Sequence, residues 1–216
     1  MKNILFYGDS NTWGYNPVTC ERYPYEKRWT TICAKALGEK YCCIPAGMNG
    51  RSTSFDDPLK ACRNGLDGLD YSLQTNKPLD LLVLMIGTND LKYTDAAGSA
   101  DGMERLVEKI MTANERYNLS SPVFPNGAHI LLISPVLVMQ DISEREGHDA
   151  REESRKLSGL YADIAKRHDI GFMNLADIAA PSDVDGVHLG LDVQEKIGRT
   201  IAGKIKEMLE NHYGTE

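Results

Sequence analysis

Residues 79–86, Leu-Asp-Leu-Leu-Val-Leu-Met-Ile, are almost continuously apolar and stop at Gly87-Thr88-Asn89-Asp90. A strand with one wet face alternates apolar and polar side chains. A run this uniform predicts a strand covered on both faces, the condition met inside a parallel sheet with helices packed above and below. Parallel neighbours cannot be joined by tight turns, so the rest of the chain has to supply crossover helices.

It does so in sequence. Shorter apolar runs at 4–7, 41–44, 128–133 and 171–174 read as four more strands, and the segments between them carry apolar residues at helical spacing. Trp29, Ile32, Cys33, Ala36 and Leu37 mark a helix over about 26–37, which ends at Gly38. A weaker stripe, Leu59, Cys62, Leu66, Leu69 and Leu73, is interrupted by Gly65 and Gly68. Met103, Leu106, Val107, Ile110 and Met111 mark the next helix, and Leu157, Leu160, Tyr161, Ile164 and Ala165 another. The last carries Val193, Ile197, Ile201, Ile205 and Met208. Strand and helix alternating in this way predict one α/β domain over 1–216, a five-stranded parallel sheet between two helical layers. The loops after strands one, two and three and the loop before the last helix then gather at one sheet edge, where open parallel sheets bind ligands.

Composition narrows the function. A formal net charge of -7 speaks against a phosphate-backbone partner, which calls for a basic patch, so no nucleic acid is expected. No stretch is long enough to span a bilayer, and the apolar run at 4–7 is too short for a signal-peptide core, so a cytoplasmic protein without membrane contact is expected. The five cysteines are odd in number and lack C-x-x-C spacing, which fits neither a zinc site nor a disulfide framework. There is no G-x-G-x-x-G after strand one, no G-x-S-x-G and no H-E-x-x-H, so neither a cofactor nor a metal is expected. Two loops, 118–127 and 136–148, each carry an apolar segment among polar residues. Val123 and Phe124 in the first and the apolar 136–139 run in the second are unfavourable to leave in water, which predicts a homo-oligomer covering one of them.

The polar residues at the predicted edge form a set. Ser10 lies just past strand one. His188 precedes the last helix with Asp185 three residues before it, and Asp183 is a second carboxylate nearby. Gly50 can present an open backbone N–H, and Asn89 a side-chain amide. Serine-based acyl transfer needs a hydroxyl, a base, a carboxylate to orient the base and donors for an oxyanion, and the chain has a candidate for each. Each residue alone is more simply a turn or cap residue. Together, at the ends of successive strands and before the last helix, they are a stronger signal. Trp13, Tyr15 and Leu137 are the apolar candidates for lining a substrate pocket.

Gly8-Asp9-Ser10, Gly50, Gly87-Thr88-Asn89-Asp90 and Asp185-x-x-His188 resemble the four signature blocks of the SGNH (GDSL) hydrolases, in order. GDSNTWG, Arg28-Trp29, GMNGRST, PLDLLVLMIGTND and DGVH extend the resemblance to the bacterial arylesterase and acyltransferase branch over almost the whole chain. The resemblance implies a three-layer, flavodoxin-like α/β/α fold with strand order 2-1-3-4-5. It also implies Ser10 as nucleophile, His188 as base, Asp185 as its orienter, and an oxyanion hole from the N–H groups of Ser10 and Gly50 and the Asn89 side chain. A small-molecule ester is the expected substrate, with acetyl to butyryl groups preferred. An O-deacetylase of acetylated sugars would use the same residues. A non-catalytic flavodoxin-like module, holding phosphate or flavin on the loop after strand one, gives Asp185 and His188 no role.

Overall fold

The computed structural model describes residues 1–117 and 121–211. Its core is a five-stranded sheet of β1 (Lys2–Gly8), β2 (Tyr41–Gly47), β3 (Leu81–Met85), β4 (Ile130–Ser134) and β5 (Gly171–Asn174). The order is β2-β1-β3-β4-β5, and every neighbouring pair is parallel. The helices are α1 (Ser10–Trp13), α2 (Trp29–Leu37), α3 (Gly65–Asn76), α4 (Ala96–Met111), α5 (Ala113–Tyr117), α6 (Ala150–Arg167) and α7 (Leu191–Asn211).

The pleat divides the core into two. Leu5, Tyr7, Leu82, Leu84 and Leu132 point to one face, where they meet Leu69 and Leu73 of α3, Met103, Leu106 and Ile110 of α4, and Leu157 and Tyr161 of α6. Ile4, Phe6, Leu81, Val83 and Ile133 point to the other, against Trp29 and Cys33 of α2 and Ile197, Ile201 and Ile205 of α7. Every residue of β3 and β4 is buried. That double burial is the physical reason their sequences do not alternate. The fold class and strand order are as the sequence and the resemblance imply.

Element boundaries differ in places, each with a local cause. The helix expected from about 26 begins at Trp29, because Tyr25–Lys27 forms a 3-10 turn and Arg28 is extended. The stripe expected to start at Leu59 becomes helical only at Gly65. Asp57 Oδ1 accepts the N–H groups of Leu59 and Lys60 in a turn, and the Asn64 side chain caps α3 by accepting the Leu66 N–H at 3.1 Å. Leu59 is left exposed and Cys62 lies outside the helix at φ 65°.

The apolar loop segments also find a different partner from the one expected. Val123 and Phe124 are buried in this chain's own core. Leu79 donates its N–H to Val123 O at 2.7 Å, and Asn114 of α5 holds both backbone groups of Phe124. Val136 and Val138 are buried as well, and of that run only Met139 is exposed. Val123, Phe124, Val136 and Val138 therefore already leave water within one chain and give no ground for a homo-oligomer, which leaves exposed Met139 and half-buried Leu137 to support one. Asn118, Leu119 and Ser120 of the first loop lie outside the described residues.

Candidate active site

The sheet register aligns Gly8 with Gly47 and with Met85, so β1, β2 and β3 end together and their loops leave from one edge. After β1 the chain turns at once into α1. The turn is tight: a Cβ on Gly8 would lie 2.1 Å from Thr12 Oγ1 and 2.4 Å from Met85 O. Asp9 caps α1 by accepting the Asn11 N–H at 2.9 Å, and Ser10 becomes the first helical residue. Asp9 is buried beneath this turn, and burial pushes its carboxyl up to about 6.

Ser10 Oγ lies 2.9 Å from His188 Nε2. On the other side of the ring, His188 Nδ1 lies 2.6 Å from Asp185 Oδ2. An ionised carboxylate can only accept, so Nδ1 carries the proton and Nε2 is left to accept the Ser10 hydrogen. Asp185 is fixed by its own turn, since its Oδ1 accepts the N–H groups of Val187 and His188, both at 3.0 Å. Partial burial raises its pKa, but the hydrogen bonds from the His188 backbone and ring and from Val187 outweigh this and hold it below the ordinary carboxylate value. The three-residue spacing thus lets one carboxylate brace the loop with one oxygen and the ring with the other. Asp183, the competing carboxylate, is exposed and Asp185 holds the ring.

The donors expected for an oxyanion lie on three loops. Ser10 N–H and Gly50 N–H have no acceptor among the described residues, and Gly50 reaches its position at φ 74°, a conformation natural to glycine. The Asn89 side chain donates one N–H to Arg51 O at 3.1 Å and accepts from Lys92 Nζ at 2.9 Å, leaving a second N–H. These loops are bound to one another. Arg51, buried, donates through Nη1 to Gly8 O at 2.8 Å and to Ala46 O at 2.5 Å, with its guanidinium 4.0 Å above the Tyr7 ring. Asp90, fully buried, accepts the N–H and hydroxyl of Thr53. Burial raises the Asp90 carboxyl to about 7, against the opposing pull of those hydrogen bonds.

Sequence reasoning missed the residue that joins the serine to the histidine loop. Asn11 Oδ1 accepts the Leu189 N–H at 2.9 Å, and Asn11 O accepts the Trp29 indole N–H at 2.9 Å. Gln194 of α7 completes the brace by accepting the Trp29 N–H at 2.9 Å and donating to Leu189 O at 3.3 Å. Arg51 was missed as well. Of the three pocket candidates, Tyr15 packs against the His188 ring, 4.2 Å between centroids with the planes tilted by 37°. Trp13 is half-buried under the Arg22 guanidinium, 5.0 Å from its ring, and Leu137 is half-buried in the loop after β4. Among the described residues no group of His, Cys, Asp and Glu side chains is placed to hold a metal ion.

This arrangement has counterparts. The model of the GDSL-like lipase/acylhydrolase family matches residues 6–194, most of the chain and every element of the site. The chain belongs to that family. Similar solved structures include Est24, a carbohydrate acetylesterase from Sinorhizobium meliloti, which is 33% identical to this GDSL hydrolase with a TM-score of 0.88. That match covers 96% of this chain and 100% of Est24. A putative arylesterase from Agrobacterium tumefaciens is 34% identical over 96% of this chain and 99% of its own, with a TM-score of 0.85. The aryl esterase of M. smegmatis is 28% identical over 96% and 99%, with a TM-score of 0.87. No curated protein matches the sequence. Among the described residues of this GDSL hydrolase no helix is long and apolar enough to cross a membrane.

Proposed function

We propose that the chain is a serine esterase of small acyl esters that works through an acyl-enzyme. Ser10 Oγ attacks the acyl carbonyl carbon while His188 Nε2 takes its proton, and the N–H groups of Ser10 and Gly50 and the Asn89 amide receive the oxyanion. The intermediate collapses, the carbonyl–oxygen bond to the leaving group breaks, and His188 returns the proton to the departing oxygen. Water, or another small nucleophile, then attacks the acyl-enzyme with His188 again as base. Asp185 stays ionised and keeps the ring in its tautomer.

The observation that carries this reading is the unbroken line from Ser10 Oγ through His188 to Asp185, at 2.9 and 2.6 Å, beside backbone donors with no acceptor among the described residues. A flavin or phosphate module has no use for such a line. The five free thiols support a reducing, cytoplasmic setting for the same reading. The test is hydrolysis of p-nitrophenyl acetate by the wild type and by Ser10→Ala. Turnover that survives in the variant contradicts the assignment.

The similarity to a carbohydrate acetylesterase favours a second substrate class, acetylated sugars, on the same residues. Parallel kcat/KM measurements on aryl acetates and acetylated oligosaccharides decide between the two.

A further inference from the structure

Lys92 is an unusual neighbour for the site. It ends the 3-10 turn Thr88–Lys92, which places it three residues after Asn89, and its Nζ donates to Asn89 Oδ1 at 2.9 Å. The side chain is half-buried. Asp57, Glu144 and Asp9 act on it electrostatically, as does Lys60, yet it forms no ion pair among the described residues. The hydrogen bond between Glu144 and Lys92 is a backbone one, the Glu144 N–H donated to Lys92 O at 2.9 Å. The hydrogen bond of a partly desolvated ammonium thus goes to a neutral amide.

We propose that Lys92 is a positioning residue that orients and polarises the Asn89 amide, so that the oxyanion is stabilised by a cation acting through a carboxamide. The proposal rests on Asn89 being an oxyanion donor. The chemistry of the partners leaves one orientation. An ammonium has no acceptor, so Oδ1 must face Lys92, and Arg51 O has no donor, so Nδ2 must face Arg51. Withdrawal of electron density toward the cation leaves the remaining Nδ2–H a stronger donor, as hydrogen bonds in a chain polarise one another at low dielectric. The gain is largest when negative charge has developed on the substrate oxygen, so it belongs to the transition state more than to bound ester.

The test is a double-mutant cycle on Lys92 and Asn89, read as kcat and KM on an aryl acetate. Lys92→Met is expected to lower kcat about tenfold, the scale separating charge-assisted from neutral hydrogen bonds, with KM little changed. Lys92→Gln, which keeps a donor without the charge, is expected to fall between Met and wild type. In an Asn89→Ala background, Lys92→Met is expected to cost almost nothing more, because its route to the oxyanion is gone. A full Lys92→Met loss persisting in that background, or a loss confined to KM, overturns the proposal while leaving Asn89 as donor. Wild-type kcat in Asn89→Ala overturns the donor role itself. If the Met variant does not fold, the Gln variant carries the same cycle.

Discussion

The two halves of the site are held in different ways. Ser10, Gly50 and Asn89 lie on loops that continue directly from β1, β2 and β3, and buried groups tie those loops together: Arg51 to Gly8 and Ala46, and Asp90 to Thr53. The His188 loop comes from the far end of the chain, is half-exposed, and rests on the Asn11 and Gln194 side chains and on the Met139 N–H donated to Gly186 O. The proposed donors are thus an extension of the core, while the proposed base sits on a loop from the far end of the chain, braced internally by Asp185 and tied to α1, α7 and the loop after β4. Charge stabilisation gains from donors that need no reorganisation, whereas a base that exchanges a proton twice per cycle needs correct placement rather than immobility.

The largest expected effect removes the line itself. His188→Ala is expected to lower kcat by about 10⁴-fold or more, since members of such a unit fail together. Loss of a single donor on the rigid side is a smaller blow: Asn89→Ala is expected to cost about 10²-fold to 10³-fold in kcat with KM little changed. A pure KM effect would place Asn89 in ground-state binding.

Asn11→Ala addresses the peripheral side. It leaves the Leu189 N–H without its acceptor, an expected loss of about 1–3 kcal/mol of stability. It also removes the side-chain tie between α1 and the His188 loop, so a roughly tenfold fall in kcat is expected, on the scale of a small misplacement of a catalytic group. Unchanged melting temperature and kcat would show that the loop is held by other means and would erase the contrast between the two halves.

These residues also mark how far the sequence could be read. The uniform run of β3 and the periodic stripes on α2, α4, α6 and α7 are local signals, and they led to the sheet and its layers. That Ser10, Gly50, Asn89, Asp185 and His188 would gather at one sheet edge was legible because they sit at strand ends or in short fixed spacings; their roles are what we propose. Asn11, Arg51 and Gln194 were not, because each acts on a distant part of the chain: Asn11 reaches Leu189, and Gln194 reaches Trp29. Asn11 had one faint mark, its place directly after the serine. Val123 and Phe124 misled for the same reason, since apolar residues between two prolines look exposed until Leu79 and Asn114 are seen to hold them inside.

Acyl length probes the surface between the halves. Almost all regular structure belongs to the sheet and its helices, and among the described residues no cap domain covers the site, so kcat/KM for p-nitrophenyl esters is expected to peak at acetate to butyrate and to fall by octanoate. A long apolar groove would instead reward each added methylene by about 0.8 kcal/mol. A continued rise to decanoate would mean that such a groove exists.

The smallest expected effect is a pH slope from the buried side. Asp9 and Asp90 have carboxyls raised by burial to about 6 and about 7, so the folded state holds protons that the unfolded chain has released. Their stabilising contribution is complete below the ordinary carboxylate value and is lost as pH rises through 6 and 7. Between about pH 5 and about pH 8 the melting temperature of Asp90→Asn is therefore expected to fall less than that of the wild type. Equal slopes would remove Asp90 as a proton-binding group.

The central claim is that Ser10 is the nucleophile activated by His188 and Asp185, and peptide mapping after reaction with a fluorophosphonate tests it most directly. The expected result is a single adduct on the peptide carrying Ser10 in the wild type and none in Ser10→Ala. An adduct at another serine, or equal labelling of Ser10→Ala, would contradict it.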